Sequence, residues 1–171
     1  STKVIRTQVI IISHKKIGQI PSNSPIDLNR YTGRWYEIAR YWNPFERDCS
    51  TATADYVQEG QELIVINTCY DQNGNWRQNI GRAQPTPTGL TVNFNYALDP
   101  SDGREISSSS GDYRVLWTDY QTFSFVGGGP FYWILSRKPV ITQRELSVLS
   151  AKTVELGYNP QRLIWNEPNL E

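Results

Sequence analysis

Methionine is absent from this 171-residue chain, histidine occurs once and cysteine twice. Each scarcity removes a class of function. With His14 as the sole imidazole and only Cys49 and Cys69 as thiols, no ligand cluster for a metal or a haem is visible, and no cofactor is expected. Two cysteines cannot define a disulfide-rich scaffold. No apolar run approaches the length that spans a bilayer, and Val9–Ile12, four residues long, is too short even for a secretory core segment. Lys and Arg number 17 against 17 Asp and Glu, so no long-range field draws the protein to nucleic acid. Methionine is missing even at position 1, and the chain therefore reads as a mature or trimmed form.

What is present is aromatic and strand-forming. Six Trp, ten Tyr and five Phe sit mostly in short alternating runs separated by turn signals, the pattern of an all-β sandwich or barrel. The length suits one domain with a sizeable core. Residues 1–24 read as a flexible tail and linker, polar and basic around Val9–Ile12 and ending in PSNSP, with His14 a solvated tail residue. The domain is expected over 25–171.

The densest signal is GRWYEIARYW, Gly33 to Trp42. Period-two alternation puts Trp35, Glu37, Ala39 and Tyr41 on one face and Tyr36, Ile38, Arg40 and Trp42 on the other. Next, Thr51–Gln58 and Glu62–Tyr70 flank a Glu59-Gly60-Gln61 turn. Pairing about it sets Tyr56 opposite Val65, Ala54 opposite Asn67 and Ala52 opposite Cys69, all on the face assigned to the interior. Parity then places Cys49 on the other face. A Cys49–Cys69 bridge needs an irregular chain there and an oxidising compartment, and both states stay open.

Asp71–Asn75 is a turn with an Asn-Gly signal, followed by a strand from Trp76 to Gln84. Gly89–Leu98 alternates most cleanly, with Leu90, Val92, Phe94 and Tyr96 inward. Asp99 to Gly111 reads as a polar loop. Tyr113–Thr118, Thr122–Gly127 and Phe131–Lys138 are more continuously apolar, as strands covered on both faces are. Gly127 to Gly129 is a hairpin turn, since no Gly-Lys-Ser/Thr follows it. A helix follows: Thr142 as N-cap with Glu145 three residues on makes a capping box, Ile141 and Leu146 a staple, and Gly157 a C-terminal stop. Leu146, Leu149, Thr153 and Leu156 give a narrow apolar stripe. RLIW, Arg162 to Trp165, reads as a short final strand.

The G-x-W-Y-E-I-A-R run from Gly33 resembles the opening signature of the lipocalins, most closely their bacterial outer-membrane lipoprotein branch. Thr118-Asp119-Tyr120 resembles the second signature and YWILSRKP the third. The resemblance covers about residues 25 to 166. It implies an eight-stranded antiparallel up-and-down barrel with one C-terminal α-helix packed outside and a short ninth strand. In that family Gly33, Trp35, Tyr36, Thr118, Asp119, Tyr120 and Arg137 would be structural, with Arg137 lying across Trp35 at the closed end. The NPFERDC loop would lie near the mouth.

Such a barrel has room for one small ligand. The candidate lining is Glu37, Ala39, Ala54, Tyr56, Val65, Asn67, Leu90, Val92, Phe94, Tyr113 and Val115, mainly apolar with a few polar groups. Glu37 stands out, because a carboxylate facing an apolar interior must be paired, hydrated or protonated. Either it rests on water, Asn67 or a tyrosine, or it orients a ligand head group. The resemblance implies binding and carriage of a fatty acid or lysophospholipid in cell-envelope lipid storage, transport or repair. It also implies an outer-membrane (periplasmic side) or secreted location, membrane attachment through a lipid anchor ahead of Ser1, and a monomer or weak homodimer. No catalytic residue is expected. A cavity-thiol isomerase built on Cys69 lacks a base, and a partner-binding barrel with a filled interior is the alternative kept open.

Overall fold

The computed structural model describes residues 25–87, 89–93, 97–98, 105–106, 110–111 and 113–166. The tail with Val9–Ile12 and His14, and also Phe94 and Tyr96, lie outside the described residues.

A one-turn helix α1, Leu28–Tyr31, leads into β1, Gly33–Arg40. Asp27 caps α1 by accepting the Asn29 N–H. Strands β2, Thr51–Glu59, β3, Glu62–Tyr70, β4, Trp76–Thr86, and β5, Gly89–Asn93, follow as a meander. Short segments β6, Ala97–Leu98, and β7, Glu105–Ile106, pair with each other, so the stretch read as a loop carries strand pairing of its own. Then come β8, Ser110–Gly111, β9, Arg114–Thr118, β10, Phe123–Gly128, and β11, Phe131–Ser136. Helix α2, Gln143–Glu155, and β12, Ile164–Trp165, complete the chain.

The ladder runs β8-β5-β4-β3-β2-β1-β11-β10-β9, antiparallel throughout. β8 and β9, close together in sequence, share the eighth place in the ring. One pairs with β5 and the other with β10. The ring therefore closes as an eight-stranded up-and-down barrel, with β12 a short ninth strand on β1. The β2–β3 register sets Tyr56 against Val65, Ala54 against Asn67 and Ala52 against Cys69, as the alternation predicts.

Two apolar cores result. The inner one holds Tyr31, Trp35, Tyr56, Leu63, Leu90 and Val115, all buried. The outer one lies between the wall and α2, where Leu149 meets Trp117, Phe125 and Ile134. Thr142 and Glu145 form the capping box, and Gly157 takes a φ of +91° at the helix end. Tyr132 on β11 shares a 2.7 Å hydrogen bond with Thr153, tying α2 to the barrel.

One expectation is corrected in β1. Glu37 pairs with Leu135 but Ala39 with Ile134, so Ile38 is an extra residue, a β-bulge. Past it the alternation inverts. Ala39 joins Ile38 in the outer core, away from the interior. Arg40, opposite Trp133, comes round to the side of Glu37.

The narrow end is closed by side chains. Trp35 is fully buried, donating its indole N–H to the Tyr31 carbonyl at 3.0 Å. Arg137 covers it, 3.7 Å from the ring centroid. Its guanidinium donates to the carbonyls of Tyr120, Arg34 and Arg30 at 2.9, 3.1 and 3.0 Å. In the Thr118-Asp119-Tyr120 turn, partial burial would raise the Asp119 carboxyl, but the Thr122 hydroxyl and the N–H groups of Gln121, Thr122 and Phe123 donate to it and hold it below the usual range.

Candidate functional site

Above this floor the barrel holds a cavity of about 120 Å³. Its apolar wall is Ala54, Tyr56, Val65, Val92, Val126 and Leu135. Tyr56 is buried edge-on against Tyr31, with ring centroids 5.0 Å apart, and burial pushes its phenol up to about 12. The side wall is aromatic. Phe131 and Trp133 stack at 5.6 Å, and Tyr113 meets both edge-on.

The polar end is assembled from three separate stretches. Asn43 caps a 3₁₀ turn, Pro44–Glu46, by accepting the Glu46 N–H at 3.1 Å, which aims the Glu46 side chain inward. Glu46 Oε1 then accepts from Trp133 Nε1 at 2.8 Å and from Asn43 Nδ2 at 3.1 Å. From β1, the bulge brings Arg40 onto Glu37: Nη1 donates to Glu37 Oε1 at 3.4 Å and to Asn166 Oδ1 at 2.7 Å. Asn166, just past β12, donates to that same Glu37 oxygen at 3.1 Å. Arg40 Nη2 ends on the carbonyl of Glu46 at 2.8 Å.

The two carboxyls both line the cavity. Burial above all, then the charge and hydrogen bond of Glu46, push Glu37 well above the ordinary carboxyl value, while Arg40 and Asn166 pull the other way. Glu37 is 7 % exposed and Arg40 3 %.

Cys49 and Cys69 are joined, their Cα atoms 5.4 Å apart. Strand parity does not govern Cys49, because it precedes β2 and follows the 3₁₀ turn, donating its N–H to the Glu46 carbonyl at 3.1 Å. Asp48 lies beside the two sulfurs. Bonded to each other, those sulfurs offer neither thiolates for a metal nor a nucleophile for an isomerase.

Of the residues expected to line the interior, Glu37, Ala54, Tyr56, Val65, Asn67, Val92 and Tyr113 meet around this cavity. Leu90 and Val115 pack into the inner core without bordering it. Ala39 lies outside the wall, and Phe94 falls outside the described residues. Sequence alone misses Asn43, Glu46, Arg77 and Trp133. Trp133 could have been found by carrying alternation through YWILS from Leu135; the loop residues carry no periodic signal.

A family model described as a lipocalin-like domain matches residues 26–168. The outer membrane lipoprotein Blc of Escherichia coli K12 is 32% identical over 148 residues, 81% of this chain and 77% of its own. Blc of Vibrio cholerae is 31% identical over 152 residues, 83% and 82% of the two chains. Among solved structures, insecticyanin from the tobacco hornworm Manduca sexta superposes with a TM-score of 0.67 at 20% identity, over 88% of this chain and 89% of that one.

Proposed function

The chain belongs to the lipocalin family, and from that premise we propose that it binds and carries a small hydrophobic ligand in its barrel. The observation that carries this reading is the cavity itself, apolar on the side of the Trp35 floor and polar at the end formed by the 43–46 turn. The ligand class that fits is a single-chain lipid, a fatty acid or a lysophospholipid, with a role in storing, moving or repairing envelope lipids. The names of the Blc relatives support an outer-membrane setting, and no described helix is long and apolar enough to cross a membrane.

The volume sets a condition. The cavity, about 120 Å³, is somewhat smaller than one that admits benzene, ~150 Å³. A sixteen-carbon chain would yield a gross ~13 kcal/mol only if wholly buried. A long chain therefore reaches beyond this volume. The small volume also favours a second reading, a barrel that grips a protein partner with its loops while its interior stays filled.

Mass spectrometry of a solvent extract of the purified protein, followed by tryptophan quenching with a titrated fatty acid and a lysophospholipid, separates the two. A stoichiometric lipid or saturable quenching supports carriage. A clean extract with flat titrations overturns it and leaves the partner-binding reading.

A further inference from the structure

We propose that the polar end of the cavity selects a ligand bearing an organic ammonium group and disfavours a free carboxylate. The inference rests on the carrier reading above and names the head group it would accept.

The argument is an inventory of charge and of hydrogen-bonding capacity. Two carboxyls, Glu37 and Glu46, line the cavity, and one guanidinium, Arg40, lies within 4 Å of both, at 3.4 and 3.8 Å. Arg40 is spent. Nη1 serves Glu37 and Asn166, and Nη2 serves the carbonyls of Glu46 and Cys49. Its Nε is buried without a hydrogen-bond acceptor, 3.8 Å from Glu46 Oε2, which is likewise buried without a donor. Arg77, the cation among the described lining residues, is engaged by Asp48 at 2.6 and 3.0 Å and by the Phe45 carbonyl at 2.9 Å.

The acceptors are in excess. Both hydrogen bonds to the Glu37 carboxyl fall on Oε1, and both to the Glu46 carboxyl fall on its Oε1. Each acid thus keeps an oxygen that no N–H group reaches. Two carboxylates and one guanidinium leave the cluster one positive charge short. An ammonium supplies that charge and up to three donors at once. A carboxylate head would meet two acids and no uncommitted cation among the lining residues, a desolvated like-charge contact. The amides of Asn67 and Asn79 also line the cavity; being both donor and acceptor, they serve either head and do not discriminate.

The cavity limits what accompanies the charge. Its volume suits a short apolar arm beside the head group, so a primary alkylamine is a sufficient probe. The experiment is a calorimetric and fluorescence titration of the full chain at pH 7 with octylamine, octan-1-ol and octanoate, which share one tail. Trp133, bonded to Glu46, reports from within the site. The expected result is octylamine bound at least about tenfold more tightly than octanoate, with the alcohol between them. Glu46→Gln and, separately, Glu37→Gln are expected to cut the amine's advantage over octanoate about tenfold. Glu46 sits on a surface turn, so E46Q serves even if E37Q fails to fold. Octanoate binding as tightly as octylamine, or an amine preference untouched in E46Q, overturns the inference while carriage stands. If none of the three binds, carriage itself falls and the inference falls with it.

Discussion

Arg137 and Trp35, 102 positions apart in sequence, meet face to face, the guanidinium 3.7 Å from the centre of the indole. The contact does more than stack, because the same guanidinium gathers three carbonyls from α1, β1 and the 118–120 turn. Replacing Arg137 by Ala removes the cation–π term and three hydrogen bonds, and is expected to cost about 2–4 kcal/mol in urea unfolding. Arg137→Lys keeps the charge but lacks the planar fork, and should recover less than half of that.

Gly33 lies beneath the same clamp. Its φ of +100° suits a residue without a Cβ, and a Cβ would come within 3.2 Å of Arg137 Nη1. Gly33→Ala is expected to destabilise by about 1–3 kcal/mol. Combined with Arg137→Ala it should cost less than the sum, because the crowded partner is gone. Strict additivity in that double-mutant cycle would count against the contact.

The Cys49–Cys69 bridge closes a loop with a sequence separation of 20. Opening it by Cys69→Ser is expected to lower stability by about 3 kcal/mol. Because the Cys49 carbonyl also receives Arg40, the same change should loosen the polar end of the cavity. Faster amide exchange over residues 43–50 in the variant would register it.

The buried Glu37 gives stability a definite slope with pH. In the unfolded chain it ionises near its ordinary value of 4.5, whereas in the barrel it holds its proton to higher pH. The native state therefore binds more protons across that interval. Stability on this account is greatest below 4.5 and declines as pH rises toward the elevated native value. Arg40, Glu46 and Asn166 are the groups that face it. Glu37→Gln should flatten this decline, read from urea midpoints at a series of pH values. Parallel curves for the two proteins would contradict the assignment.

The cavity can be tested by filling it. Ala54 lies in its wall, and Ala54→Leu places three more carbons there. Lipid or amine binding is expected to fall at least tenfold, while the unfolding midpoint holds or rises. Unchanged binding would move the ligand elsewhere on the barrel.

The sequence and the structure agree where local rules govern. Register in the β2–β3 hairpin follows from a short turn and two alternating runs, and the helix ends follow from Thr142, Glu145 and Gly157. They part where a single residue breaks the rule. Counting by twos from Trp35 cannot see that Ile38 is supernumerary, so Ala39 is assigned inward and Arg40 outward, the reverse of their places. Glu46 and Asn166 were out of reach for another reason. Each sits in an irregular segment, and Asn166 is 129 residues from the Glu37 it bonds. The cavity's size also escapes sequence, because it is what remains after Tyr31, Trp35 and Tyr56 have filled the floor.

The extra residue at Ile38 makes the length of β1 a matter of whole numbers. Deleting any one residue between Glu37 and Arg40 would restore regular pairing with β11 at little cost in backbone hydrogen bonds. It would keep the guanidinium beside Glu37 and take one apolar side chain from the core under α2. A one-codon deletion there would thus thin the packing beneath the helix while leaving the two acids and their guanidinium together.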